Sequence, residues 1–106
     1  MHIEHPHTLG RQEAIKRLDH LLDALVKDPP GGAEISNIVK TWDDNRMRFS
    51  FKASKGGFGT TISGTLEVTD DRVVVDADLP PLVKAVLGEA RVQQTVLTGL
   101  KDVLGQ

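Results

Sequence analysis

The stretch RMRFSFKAS (46–54) alternates without interruption. Met47, Phe49, Phe51 and Ala53 share one parity; Arg46, Arg48, Ser50 and Lys52 share the other. Successive side chains on a strand point to opposite faces, so this is a strand with one dry and one wet side. Half-wet strands belong to antiparallel sheets, because parallel sheets are covered on both sides. The next segments extend the pattern. FGTTISGTLEV (58–68) places Phe58, Ile62, Leu66 and Val68 on one parity, and RVVVDADL (72–79) does the same with Val73, Val75 and Ala77. EISNIVKTW (34–42) is apolar but alternates poorly. Ile38 and Trp42 fall on one parity and Ile35 and Val39 on the other, which a β-bulge would reconcile.

The turns set the registers. A two-residue turn at Asp44-Asn45 puts Trp42 opposite Met47. Another at Asp70-Asp71 puts Val68 opposite Val73, Leu66 opposite Val75 and Gly64 opposite Ala77. Reading SKGG (54–57) as the remaining loop puts Ala53 opposite Phe58 and Phe49 opposite Ile62. Each pairing sets apolar on apolar, the consistency a register needs. On the wet face the same registers set Arg48 beside Ser63 and Ser63 beside Asp78, and Arg46 beside Thr65 and Thr65 beside Asp76.

Outside the meander the period changes. From Leu9 to Lys27, Ile15, Leu18, Leu22 and Leu25 recur at helical spacing, with Thr8 as the expected N-cap. DPPGG (28–32) ends this helix. Pro80-Pro81 opens a last helix that runs to about Leu104, with Gly105 just past its end. Gly88 and Gly99 lie inside it and are expected to allow close packing on the sheet. HIEHPH (2–7) reads as a short edge strand. The order β-α-β-β-β-β-α predicts an α+β fold: a curved antiparallel sheet with two helices packed on one face, in a single domain spanning 1–106.

Composition bounds the function. The 106 residues carry 13 Lys+Arg and 15 Asp+Glu, a net charge of -2, without the basic excess of a nucleic-acid binder. There is no cysteine, which removes disulfides and thiolate chemistry. No apolar run is long enough to span a membrane and no signal peptide is apparent, so a cytoplasmic location is expected.

Three features invite chemistry. His2, His5 and His7, with Glu4 and the distant His20, contain metal-ligating types. Their better reading is decoration of an edge strand, with His7 tying the strand-to-helix junction to loop backbone, so neither metal nor cofactor is expected. Lys55 and Phe58, in SKGGFG (54–59), are candidates to touch a partner. Val92, Val96 and Val103 widen the apolar arc of the last helix, either to pack beneath the first helix or to meet a second copy, a partner or an apolar particle.

The segments HTLG (7–10) with Glu13, Ala14 and Arg17, then WDDNRMRFSF (42–51), then GTLEVTDDRVVVDADLP (64–80), resemble the polyhydroxyalkanoic acid system family, small bacterial proteins encoded beside genes for polyester storage. The resemblance runs from Ile3 to about Leu104 and brings no catalytic residue with it. His7, Arg17 and Trp42 match recurrent family positions. Each has a structural explanation, with His7 at the junction, Arg17 anchoring the first helix and Trp42 in the core beside Met47. The resemblance implies a non-enzymatic accessory or regulatory protein of polyhydroxyalkanoate storage. Its expected partners are the granule surface or granule proteins, reached through the C-terminal helix, which is also the expected face of a homodimer. An alternative is an acyl or hydroxyacyl carrier, with a pocket made by the small residues Gly64, Ala77, Gly88 and Ala90 between sheet and C-terminal helix. A second alternative is a histidine-based metal-binding protein.

Overall fold

The structure, a computed structural model, describes residues 1–27, 29 and 32–105. Its elements are β1 (His2–Pro6), α1 (Arg11–Leu18), α2 (Leu21–Lys27), β2 (Glu34–Asp43), β3 (Arg46–Lys55), β4 (Phe58–Val68), β5 (Arg72–Asp78), α3 (Pro81–Val86) and α4 (Glu89–Leu104). Of the expected stop DPPGG, Asp28, Pro30 and Gly31 lie outside the described residues. The strands form one open antiparallel sheet in the order β1-β5-β4-β3-β2, and the fold is α+β.

Two of the three expected turns hold. Trp42 faces Met47 across Asp44-Asn45, and Val68, Leu66 and Gly64 face Val73, Val75 and Ala77 across Asp70-Asp71. The β2 bulge is present as a register shift between Ser36 and Val39, with Asn37 at φ 53. The third turn is tighter than the four-residue loop. Gly56 and Gly57 alone make it, at φ 58 and 86, the left-handed pair that matches strand twist. Lys55 therefore faces Phe58, and Phe49 faces Gly64 instead of Ile62. A slip of two keeps every parity, so the apolar face survives. On the wet face Arg48 now stands beside Thr65 and Ser50 beside Ser63, while Arg46 pairs with Glu67 at 3.0 Å.

Both expected helices are broken in two. The first starts at Arg11 with Gly10 (φ 80) in the N-cap place, not Thr8. It ends after Leu18 in a tighter turn: Asp19 N still closes on Ile15 O at 3.0 Å, but His20 N closes on Arg17 O at 3.2 Å, while the Asp19 carboxylate accepts from Trp42 Nε1 of the edge strand at 2.9 Å. The last helix breaks at Gly88, whose φ of 82 re-aims the chain between α3 and α4. Gly99 allows close approach to α2 and not, as expected, to the sheet: a Cβ there would meet Leu21 Cδ1 at 3.1 Å. Gly105 takes the expected left-handed C-cap.

The helices cover the apolar face. Leu18, Met47, Leu66, Leu100 and Leu104 are fully buried between the layers. Each such side chain contributes roughly 1.5–3 kcal/mol by leaving water. The opposite face keeps Arg46, Arg48, Asp76 and Asp78 exposed.

Candidate functional site

The β3–β4 hairpin carries its inward parity to the last residue pair. Met47, Phe51 and Ala53 on β3, and Ile62 and Leu66 on β4, are buried beneath helices. The pattern continues to Lys55 and Phe58, which sit opposite each other at the tip. There the cover ends: Phe58 is 57% exposed.

Beneath the tip lies α3. Its first amides, from Val83 and Lys84, close on Pro80 O at 2.9 and 3.2 Å, and Leu87 N closes on Val83 O at 2.9 Å. The left-handed Gly88 then separates it from α4. Leu82, Val83, Val86 and Leu87 consequently face the hairpin, and with Ala33, Ala53 and Phe58 they line a shallow apolar slot of about 20 Å³. Val26, Val39, Phe58 and Val86 are exposed large apolar side chains, and of these Phe58 and Val86 share that slot.

Lysines border the slot. Lys55 lines it directly. Lys52 belongs to the outer face, but its stem leans toward the tip across Gly59, where an added Cβ would meet Lys52 Cε at 3.0 Å. Lys84 is exposed on α3 and does not line the slot. Among the described residues, Lys52 and Lys55 are not ion-paired with a carboxylate, and neither are Lys16, Lys27, Arg48, Lys84, Arg91 and Lys101, whereas Arg11, Arg17, Lys40, Arg46 and Arg72 are. Glu34 lies in the groove on the outer side of the tip with Lys52 and Lys55.

The other expected positions fall as follows. His7 is buried and does tie the junction: Leu9 N donates to Nδ1 at 3.2 Å and Nε2 donates to Thr69 O at 2.9 Å. Arg17 does anchor the first helix. Its Nη1 donates to Leu104 O at 2.7 Å, capping α4, and its Nε donates to Glu13 at 3.1 Å. Trp42 packs against the core only in part, since its indole reaches out to Asp19. That bond, with Lys40 Nζ at 3.0 Å, holds the Asp19 carboxyl below the usual carboxylate range; the indole is the larger cause. On the C-terminal helix the contact-surface reading is corrected. Val92 and Val96 are buried core residues and Val103 packs half-buried against the same cluster. Burial wins because Val92 and Val96 turn to the core space they share with Leu21, Leu22 and Leu25 of α2 and with Met47, Phe51 and Leu66 of the sheet.

The carrier pocket shrinks to an apolar cavity of about 40 Å³ between sheet and helices, room for roughly three water-sized spheres. Of its four expected residues only Ala77 lines it; Gly88 makes the α3–α4 joint, Ala90 is exposed, and Gly64 lines a trough on the outer face. Among the described residues, no group of three or more His, Cys, Asp or Glu side chains is placed to hold a metal ion. His2 instead donates to Asp76 and lies near Glu4, and these partners, Asp76 first, raise its pKa above the ordinary histidine value. Among the described residues, no helix is long and apolar enough to cross a membrane.

The geometry defines a class: an α+β protein whose helices grip one face of an open antiparallel sheet, with an apolar, lysine-bordered hairpin tip outside the grip. The chain belongs to the family described as "Putative polyhydroxyalkanoic acid system protein", whose profile matches residues 1–104. Among solved structures it is similar to TTHA0849 from Thermus thermophilus, with 18% identity and a TM-score of 0.44 over 98% of this chain and 95% of that one. No functionally curated protein matches it.

Proposed function

We propose that the protein is a non-enzymatic accessory of the polyhydroxyalkanoate system in the cytoplasm, and that it meets the polyester granule or its coat through the β3–β4 tip and α3. The family assignment supplies the setting. The observation that carries the contact is Phe58, an aromatic on the inward parity of the sheet, left 57% exposed over Leu82 and Val86. Exposed apolar area gains about 25 cal/mol per Å² when a polyester surface takes it from water. The non-enzymatic part of the reading is supported by how the polar groups are used. His7, the buried histidine, spends both ring nitrogens on backbone. His2 is held by carboxylates on the open face.

A fluorescent fusion in a polyester-accumulating bacterium tests the reading. Foci that coincide with granules, and that disperse with Phe58→Ser, are expected. A diffuse signal unaltered by accumulation would contradict it.

A further inference from the structure

We infer that the hairpin tip is built for an anionic amphiphile layer, so that its partner is the charged lipid coat of a particle and not bare polyester; this rests on the contact assignment proposed above. The inference comes from two chemistries placed together. Phe58, Leu82 and Val86 supply an apolar edge, and Lys55 at the slot and Lys52, leaning across Gly59, stand beside it without carboxylate partners among the described residues. A neutral polyester surface rewards only the first set. An anionic headgroup layer over acyl chains rewards both, with the ammonium groups at the heads and the apolar edge in the boundary below.

The shape favours a fluid layer over a folded partner. The slot holds only about 20 Å³, too little for a side-chain anchor of the kind that seats a protein partner. The tip itself projects: Lys55, Gly56, Gly57, Phe58 and Gly59 are all exposed. The position of Lys52 strengthens the charge argument. Gly59 leaves open the space that the Lys52 stem crosses, which carries an outer-face ammonium toward the tip. Glu34, beside it, is the opposing charge, and Lys52 and Lys55 outnumber it.

Flotation of the purified protein tests this with three surfaces: vesicles of phosphatidylcholine alone, vesicles also containing phosphatidylglycerol, and bare polyester particles. The wild type is expected to float with the phosphatidylglycerol vesicles and to leave them at high salt. Each of Lys52→Gln and Lys55→Gln should weaken that binding about fivefold, the value of one cation near an anionic surface. Phe58→Ser should weaken it about tenfold, the value of part of one buried aromatic. Circular dichroism and thermal melting show whether the variants keep the fold, as exposed positions should. Binding to bare polyester equal to binding to anionic vesicles, with the lysine variants unchanged, overturns the lipid-coat inference but leaves the granule contact standing. Binding to neither surface overturns the lipid-coat inference, and failure to pellet with native granules as well overturns the granule contact. Binding to anionic vesicles that is indifferent to Phe58 and to both lysines places the contact elsewhere and also overturns the inference.

Discussion

The two ends of the β3–β4 ladder obey one pattern and meet different fates. At the Asn45 end, Met47 and Leu66 face each other and are 1% and 0% exposed beneath the helices. The turn there is stitched down: Val68 N donates to Asn45 O at 2.9 Å, and Asn45 Nδ2 donates to Val68 O at 2.7 Å. At the Gly56-Gly57 end the same inward parity delivers Lys55 and Phe58 to solvent. Alternation therefore tells which face a residue takes, and the helices decide whether that face is dry. An apolar residue that continues the pattern beyond its cover adds little to the fold, which makes it informative about contacts.

The sharpest way to break the contrast is substitution at both ends. Leu66→Ala should lose about 2–5 kcal/mol, the cost of a buried leucine with its cavity, read by denaturant unfolding. Phe58→Ser should change stability by less than about 0.5 kcal/mol. Equal losses at the two ends would erase the distinction.

Next in size is Gly64→Ala. The new Cβ would collide with Asp76 O and meet Ala77 Cα and Phe49 Cζ, each at 2.8 Å. Two of these neighbours are backbone and cannot swing aside, so a loss of about 1–3 kcal/mol in denaturant unfolding is expected. His7→Ala should cost a similar amount, about 1–3 kcal/mol, because Leu9 N–H and Thr69 C=O lose their partner at a buried site.

The smallest expected effects are electrostatic. Asp19 has a lowered pKa in the folded protein, so its contribution is present above the ordinary carboxylate pKa near 3.8 and is lost as pH falls through the folded value. Trp42→Phe removes the indole donor and should flatten that acid-side loss of melting temperature. His2 has the opposite sign. Its pKa is raised above 6.5, so its contribution is full below that pH and is lost as pH rises through the folded value. The group is open to solvent, so His2→Gln should leave only a faint change in the slope of stability against pH around neutrality.

The registers across Asp44-Asn45 and Asp70-Asp71 were legible because a one-residue slip would send Leu66 and Val75 to the wet face. The β3–β4 register was not, since a two-residue slip leaves every parity intact; only the turn chemistry of Gly56-Gly57 distinguishes the two. The helix breaks were hidden for a related reason. Leu18, Leu21, Leu22 and Leu25 are all buried and keep a helical stripe across the corner at Asp19 and His20. The contact candidates divided by cover. Val92 and Val96 face α2 and the sheet, and burial of that arc depends on distant elements. Lys55 and Phe58 were legible as loop neighbours, but their slot needed α3, which Gly88 sets apart from α4.

Pelleting of purified protein with isolated polyester granules, compared between wild type and the double variant Phe58→Ser, Val86→Ser at matched melting temperature, tests the central claim most directly. The account predicts that wild type pellets with the granules while the double variant stays in the supernatant. A double variant that melts like wild type and still pellets would contradict it.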